Sequence, residues 1–521
     1  MRRLLSKVLS LLCGAALLLS QPATVWALGL PTLGDAGEMS LAAERRLGEQ
    51  IMRELYRDSD YLDDAILLDY VESTWKPLLD AARRRGELPD DMDQRFAWEV
   101  LLGRDREVNA FALPGGYMGV YLGLLSLVTS RDELASVLGH ETSHITQRHI
   151  SRSMAKEARE MPLMMAAMIL GLIAASRSPD MAGAVIIGGQ AGMIQSQLNY
   201  SRDMEREADR VGYGVMTDAG FDGRGFVTMF DKLQLASRHN DSGGFPYLRS
   251  HPLTTERIAD MQSRFELRGL PPMQAVYPAT LEHAIISARA RALATRAPDQ
   301  QREWLRDPQR SDFKNESVVK QVTGLTTGLL TALAVRDFPL AKAWTERLGE
   351  LVAKDAPAQR LQALLAAEVG LAASDPRAAL NLTVSAQGPR PELFLGTQGR
   401  LMAYQQNPAA PTGDALTQAA GEMRTWVALH PRDGGAWSLL SRVNQAQGFT
   451  LRALRDEAEV QVAHFDYQGA LDRFRAAQNW GREHPEGTQG PADSTHQVDA
   501  SIVDTRAREV TLLLREQAAQ R

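Results

Sequence analysis

The segment His140-Glu141-Thr142-Ser143-His144 places two imidazoles and a carboxylate within five residues. Residues four apart on an α-helix lie on one face, so His140 and His144 can bind the same metal ion. Zn²⁺ prefers such nitrogen ligands and accepts a third protein ligand while keeping one coordination position for water. Glu141 can take a proton from this water, whose pKa the metal lowers to about 7, and return it to a leaving amine. The pattern predicts a peptidase with one zinc ion per chain.

The helix that would carry these residues has a recognisable start. Ser130-Arg131-Asp132-Glu133 matches the capping box, which predicts a helix from this point to about Met154. Apolar residues three and four apart give the helix a buried face: Leu134, Val137, Leu138 and Ile145. This face argues against the alternative, in which the two histidines lie by chance on a solvated helix.

A zinc site needs a third protein ligand from elsewhere in the chain. Glu205-Arg206-Glu207-Ala208-Asp209 lies on a later predicted helix, 61 residues beyond His144. Glu205 and Asp209 share a helix face, whereas Glu207 points away. One of the two carboxylates on that face can bind the metal while the other holds a ligand imidazole from behind. The alternative is an acidic helix face that is simply solvated.

Two short strands are predicted ahead of the zinc helix, at Phe96–Leu102 and Val108–Leu113, the second ending at Pro114-Gly115-Gly116. A strand at the edge of a sheet offers unpaired N–H and C=O groups to which an extended peptide can add. An interior strand offers none, and the residues alone leave this choice open. Helices are predicted upstream of the strands, over residues 39–57 and 61–84.

Together these motifs resemble the M48 peptidases, the family that includes the CAAX prenyl protease. The resemblance rests on the His140 to His144 and Glu205 to Asp209 motifs and on Asn109-Ala110-Phe111-Ala112-Leu113-Pro114-Gly115-Gly116. It covers residues 28–270 and implies a zincin-like metallopeptidase domain with a small sheet. It also implies an edge strand whose substrate-binding residues are Asn109, Ala110, Phe111 and Ala112.

The same resemblance implies a role for each residue of the site. His140, His144 and Glu205 would be zinc ligands, Glu141 the catalytic base, and Asp209 the support of a ligand. Ser250-His251-Pro252 matches a further motif of the family, in which the histidine approaches the zinc. His251 is therefore expected as a fourth, self-inhibitory ligand or as a transition-state contact, the alternative being an ordinary loop histidine. Arg148 and His149 also fit the family's helix, where a structural role is expected rather than metal contact.

Residues 1–27 have the pattern of a cleavable secretory signal peptide. Three cations precede an apolar run from Val8 to Ser20, and Ala27 is a small residue at the expected cleavage position. A membrane anchor is the less favoured alternative, because crossing a bilayer core takes roughly 20 apolar residues. The only cysteine, Cys13, lies within the run, so the mature chain would carry no disulfide. The expected localisation is the periplasm.

Two apolar stretches, Met161–Ala175 and Met181–Ile194, follow the zinc helix. Both are shorter than a bilayer span, and a buried helical hairpin is expected. The alternative is a surface pair over residues 161–194 that makes peripheral contact with a membrane or covers a cleft. The lack of any stretch of 18 or more apolar residues disfavours a membrane-spanning M48 enzyme that acts on prenylated peptides.

Gly269-Leu270-Pro271-Pro272 marks a domain boundary, beyond which residues 281–521 are rich in Ala, Leu and Arg and have helical periodicity. Ala341, Ala378 and Ala453 are separated by 37 and 75 residues. These spacings are near one and two periods of a helical repeat of roughly 34 residues. The expectation is a degenerate, α-helical TPR-like repeat domain, with an irregular helical bundle as the alternative. The fold class is therefore α+β, mostly α.

The charged residues of the chain exclude one class of function. A net charge of −6, from 58 basic and 64 acidic residues, argues against a nucleic-acid-binding protein.

The leading hypothesis is a periplasmic zinc endopeptidase whose repeat domain holds substrates. The family resemblance implies unfolded or misassembled outer-membrane proteins and their assembly machinery as partners. The competing hypothesis is a chaperone or scaffold with a dormant or self-inhibited peptidase site.

Overall fold

The computed structural model describes residues 39–156, 201–238, 246–267, 279–408, 412–485 and 494–519. The chain divides into two compact units. The first comprises the described residues of Met1–Ile51, Asp58–Leu62 and Val71–Pro278, and the second those of Met52–Arg57, Asp63–Tyr70 and Ala279–Arg521. The predicted signal peptide with Cys13, the apolar pair at 161–194 and the boundary at 269–272 lie outside the described residues.

Helices dominate both units. Helices α1 to α10 are Leu41–Tyr56, Ala65–Arg84, Asp90–Arg95, Leu122–Leu127, Arg131–Thr146, 149–156, 201–218, Arg224–Arg238, Pro246–Ser250 and Thr255–Leu267. Helices α11 to α22 are Leu281–Ala294, Pro298–Arg306, Val318–Ala334, Phe338–Val352, Ala356–Ala372, Arg377–Leu380, Arg390–Gln406, Thr412–Leu429, Gly434–Ala446, Thr450–Ala463, Tyr467–Glu483 and Ser494–Ala519. Within the described ranges, no helix combines the length and apolarity needed to cross a bilayer.

The first unit contains a four-stranded sheet of β1 (Tyr61–Leu62), β2 (Glu99–Gly103), β3 (Ala110–Leu113) and β4 (Tyr117–Tyr121), in the order β1-β2-β4-β3. Strand β4 runs parallel to β2 and antiparallel to β3. Strand β3 pairs with β4 alone among the described strands and therefore forms an edge. The sequence interpretation found β2 and β3 but missed β4, because every residue of β4 is buried and its side chains show no polar alternation. It also missed β1, whose two residues lie in the helix predicted over 61–84, whereas that helix begins at Ala65.

Helix α5 starts as predicted and ends earlier. The Ser130 hydroxyl accepts a hydrogen bond from the backbone N–H of Glu133 at 3.2 Å, which confirms the N-cap. The expectation of one helix to about Met154 is wrong, because α5 ends at Thr146 and α6 starts at residue 149. Between them Arg148 adopts a left-handed conformation with φ of 53°, which changes the direction of the chain.

Helices α5 and α7 cross with their backbones in close contact. A Cβ atom at Gly212 would lie only 3.0 Å from the carbonyl carbon and oxygen of Gly139 and from the backbone nitrogen of His140. The hydrogen-only side chains of both glycines permit this distance. The indole Nε1–H of Trp75 in α2 donates to Thr142 Oγ1 of α5 at 2.8 Å. The motif helix therefore contacts both α2 and α7.

In the second unit, successive helices from α13 onward pack against one another, and several also pack against the next helix but one. This pattern is consistent with stacked helical repeats. Ala341 and Ala453 are buried, whereas Ala378, the middle member of the series, is only half-buried and lies in the short α16. Ser441 is buried as well, and its hydroxyl donates to the carbonyl of Ala453 at 2.9 Å.

Aspartates start several helices of this unit by accepting a hydrogen bond from a backbone N–H three residues later. They are Asp337, Asp355, Asp433 and Asp466. The short side chain of Asp caps a free N–H group at the helix end, which is why the residue recurs there.

Segment 63–70 is bound to the helices of the second unit by three arginines. Arg289 is 6 % exposed and lies 2.7 Å from Asp64 and 2.6 Å from Glu368. Similar double ion pairs link Arg360 to Asp69 and Glu392, and Arg390 to Asp63 and Asp433. Each arginine therefore joins a carboxylate of the N-terminal segment to one of a later helix.

The Arg289→Ala substitution should lower the free energy of unfolding by about 3–5 kcal/mol, because it leaves two carboxylates without their cation in a buried site. Urea denaturation followed by circular dichroism measures this loss. Arg302→Ala is the control, since its partner Asp299 is 93 % exposed and surface pairs contribute about 0–1 kcal/mol. Equal effects of the two substitutions would contradict the prediction.

Candidate metal centre

Four buried side chains converge in the first unit. One ligand atom from each of His140, His144, Glu205 and His251 lies within 4.8 Å of the other three. The two Nε2 atoms of His140 and His144 are 3.0 Å apart. Each of them lies 3.4 Å from an oxygen of Glu205. The histidine pair of α5 and the carboxylate of Glu205 on α7 therefore meet.

His251 completes this cluster from the end of α9. Its Nδ1 atom lies 3.0 Å from Glu205 Oε1 and 3.3 Å from His140 Nε2. The backbone N–H of His251 donates to the carbonyl of Tyr247 at 2.8 Å, and the two rings pack with centroids 4.7 Å apart. His251 is 8 % exposed, so it is a buried member of the cluster and not a solvated loop residue.

Asp209 lies behind the first histidine. Its Oδ1 atom is 2.9 Å from His140 Nδ1, the ring nitrogen that faces away from His144. A carboxylate in this position orients the ring and leaves Nε2 free to bind a metal. Asp209 thus contacts Nδ1 of His140, and Glu205 approaches Nε2. Helix spacing alone had not decided which of the two carboxylates would face the metal and which would support the histidine.

Arg257 balances the buried carboxylates. Its guanidinium lies 2.6 Å from Asp209 Oδ2 and 2.9 Å from Glu205 Oε2, and it donates to the carbonyl of Pro252 at 2.8 Å. The sequence interpretation missed this residue. One feature could have indicated that Arg257 is buried. It lies four residues before the buried Met261 and therefore on the same face of α10.

The electrostatics of the cluster follow from these contacts. Burial alone lowers the pKa of His140, but Asp209 and Glu205 raise it to about 10. Burial opposes ionisation of Glu205, yet His251 and His140 hold the pKa of Glu205 well below its usual range. Burial and the neighbouring His140 and His251 lower the pKa of His144. These shifts favour anionic Glu205 and neutral His144, the forms that bind metals, whereas His140 must release a proton when a metal binds.

Glu141 lies between the cluster and the sheet. It is fully buried, and its Oε2 atom accepts a hydrogen bond from the backbone N–H of Ala112 in β3 at 2.9 Å. Its Oε1 atom makes no hydrogen bond with the described residues and lies 3.5 Å from His251 Nε2. One oxygen is thus fixed by the edge strand, while the other faces the cluster.

The predicted substrate residues lie along the edge of the sheet. Asn109 precedes β3 and is buried, whereas Ala110 and Ala112 belong to the strand itself. The ring of Phe111 packs over Gly119 of β4, where a Cβ would come within 2.2 Å of the ring. The ring therefore needs a glycine opposite it.

The cluster fits a divalent metal ion. Imidazole nitrogens and a carboxylate oxygen are the ligands that Zn²⁺ prefers, and four of them converge here. The buried Oε1 atom of Glu141, which makes no hydrogen bond with the described residues, faces the same cluster. A carboxylate and an arginine support the ligands from behind. The fold and the site together define a metallopeptidase domain of the zincin class.

Comparison with known proteins specifies the domain. Residues 72–265 match the profile of Peptidase family M48, so this part of the chain is an M48 peptidase domain. The chain is 35 % identical over 271 residues to the putative beta-barrel assembly-enhancing protease of Vibrio cholerae, covering 52 % of this chain and 54 % of that protein. It is 30 % identical over 255 residues to the beta-barrel assembly-enhancing protease of Escherichia coli, covering 48 % of this chain and 50 % of the relative.

A more distant relative shares a smaller region. The mitochondrial metalloendopeptidase OMA1 of Arabidopsis thaliana is 32 % identical over 162 residues, or 31 % of this chain and 30 % of that protein. The chain spans about half the length of the bacterial relatives it matches. The comparisons thus identify the peptidase domain.

The Asp209→Asn substitution should weaken zinc binding by roughly 10- to 100-fold, because it removes the charged partner of His140 and of Arg257. Competition with a chromogenic chelator measures the affinity. Asp203→Asn, on the same helix but paired with the exposed Arg206, should leave the affinity unchanged. An unaltered affinity in Asp209→Asn would contradict the assigned role of this carboxylate.

Proposed function

We propose that the protein is a periplasmic zinc endopeptidase that hydrolyses peptide bonds of misfolded or incompletely assembled outer-membrane proteins and has a chaperone-like role in their assembly. The observation that carries the proposal is the buried cluster of His140, His144 and Glu205 beside Glu141 in an M48 domain. The names of the Vibrio cholerae and Escherichia coli relatives support the choice of substrate class.

In this proposal His140, His144 and Glu205 hold the zinc ion. When bound, zinc would act as a Lewis acid that makes a water nucleophilic near neutral pH. Glu141 takes the proton of the attacking water at Oε1 and returns it to the leaving amine nitrogen. The N–H of Ala112 holds Oε2, so the carboxylate keeps its free oxygen directed at the reacting centre.

The substrate is proposed to bind as an added strand beside β3. The outer side of β3 lacks a partner strand among the described elements, so its backbone groups other than the Ala112 N–H, which Glu141 holds, can pair with an extended peptide. Ala112 belongs to β3 and also contacts Glu141, which would bring a bound peptide close to the catalytic base. Recognition through the backbone favours unfolded segments of many sequences, as an assembly protease requires.

The remaining assignments belong to the same proposal. Residues 1–27 would be removed on export, residues 28–270 would form the peptidase domain, and residues 281–521 would form a TPR-like domain. The helical packing of the second unit supports a surface for outer-membrane proteins or their assembly machinery, since stacked helices build extended concave surfaces. For residues 161–194 a buried helical hairpin stays the expectation, with a peripheral membrane contact or a cover of the cleft as the alternative.

The Glu141→Gln variant tests the catalytic assignment. The amide retains the size of the side chain but cannot act as a base, so casein digestion should fall by about 10²- to 10⁴-fold while zinc content stays at one per chain. Glu256→Gln, an exposed glutamate of the same unit, is the matched control. Full digestion by Glu141→Gln would contradict the mechanism.

A second function, that of a chaperone or scaffold with a self-inhibited site, is favoured by one observation. His251 approaches both Glu205 and Glu141, so a metal bound to all four side chains of the cluster would leave little room for a water. Outer-membrane assembly in cells carrying Glu141→Gln separates the two functions. Retained assembly supports the scaffold, and lost assembly supports the enzyme.

The His251→Ala variant should digest casein several-fold faster than the wild type, because it removes the side chain that competes with water for the metal. Initial digestion rates at saturating zinc give the comparison. A rate equal to that of the wild type would argue against gating by His251. A rate far below it, with zinc retained, would instead indicate a contact to the transition state.

A further inference from the structure

We propose that His149, Glu207 and Arg152 form a positioning relay that sets the ring orientation and tautomer of His144. This inference rests on the proposed role of His144 as a metal ligand. It assigns to the relay no contact with substrate or metal.

Three consecutive contacts make up the relay. His149 Nδ1 lies 2.8 Å from His144 Nδ1, and His149 Nε2 lies 3.1 Å from Glu207 Oε2. The guanidinium of Arg152 donates to the same oxygen of Glu207 at 2.9 Å. The exposed fraction of His149 is only 2 %, whereas Glu207 and Arg152 are partly exposed. The relay thus leads from the buried ligand to the surface.

The break between α5 and α6 produces this arrangement. In one continuous helix, residues five apart would point about 140° away from each other, so His149 could not face His144. The left-handed conformation of Arg148 changes the direction of the chain at this point. Arg148 is held there by Glu44, at 2.6 Å, and by hydrogen bonds to Ser151 and to the backbone of Met39. An uncommon backbone conformation is thus maintained beside the site.

The contacts determine which ring nitrogen of His144 and of His149 carries the hydrogen. His144 can bind a metal through Nε2 only if its Nδ1 carries the hydrogen, which must then be donated. His149 accepts it at Nδ1, so its own hydrogen lies on Nε2 and is donated to Glu207. Arg152 holds the Glu207 carboxylate in place for this bond.

The two ligand histidines therefore have different supports. His140 has a carboxylate, Asp209, directly against its Nδ1 atom. His144 has a neutral imidazole in the equivalent position, with the carboxylate one residue further away. The expected helix geometry had placed Glu207 away from the metal, and Glu207 contacts His149 and Arg152 and not the cluster. Glu205 and Glu207 thus lie on the same helix, but Glu205 belongs to the cluster and Glu207 reaches it only through His149.

The experiment measures zinc affinity by chelator competition and the visible spectrum of the Co²⁺-substituted protein. His149→Phe, which fills the space without accepting a hydrogen bond, should weaken zinc binding about 10- to 100-fold and change the Co²⁺ spectrum. His149→Gln should restore most of the affinity, because its amide can accept from His144 and donate to Glu207. Equal affinities of His149→Phe and the wild type, or no rescue by Gln, would overturn the relay.

A double-mutant cycle tests the link to Glu207. Glu207→Ala should weaken zinc binding alone but add nothing to His149→Phe, because the relay is already broken. Glu256→Ala, with its exposed arginine partner, is the control and should leave the affinity unchanged. Additive effects would overturn the relay. If the wild type itself bound no zinc, the proposed function would fail, whereas tight zinc binding unaffected by His149→Phe removes only the relay.

Discussion

The metal centre depends on how closely helices α5 and α7 approach each other. Gly139 and Gly212 allow the two backbones to touch, and His140 directly follows the first of these glycines. Any larger side chain at Gly212 would move α7 away from α5 and carry Glu205 and Asp209 with it. Metal ligands must converge to within a few tenths of an ångström, so the packing of two glycines controls the chemistry of the site.

Burial of several charges is the second constraint. Glu141, Glu205 and Asp209 lie close together with almost no exposure, which is unfavourable unless cations or hydrogen bonds compensate. Arg257 supplies a fixed cation, the N–H of Ala112 supplies a hydrogen bond, and a divalent metal would supply two further positive charges. The same edge strand that would bind a peptide thereby also positions the base.

The motif residues were predictable because their spacing acts locally. A helix brings His140 and His144 together regardless of the rest of the chain. Ser130 caps the start of that helix by accepting a hydrogen bond from the N–H of Glu133, three residues later. The residues missed by sequence interpretation act at long range. Arg257 reaches Asp209 across 48 residues, and β4 was hidden because a fully buried strand carries no polar alternation. The break at Arg148 was missed because a left-handed arginine has no local sequence pattern.

By itself the sequence determined which side chains can bind a metal, which carboxylate adjoins them, and that the C-terminal half is helical, since each depends on residue type and short-range periodicity. Tertiary structure decided which of Glu205, Glu207 and Asp209 faces the histidines, that His251 joins them, and that His149 turns back to His144. These contacts join segments of the chain far apart in sequence or separated by a change of direction. Their geometry is set by the packing of whole helices, which no short stretch of residues encodes.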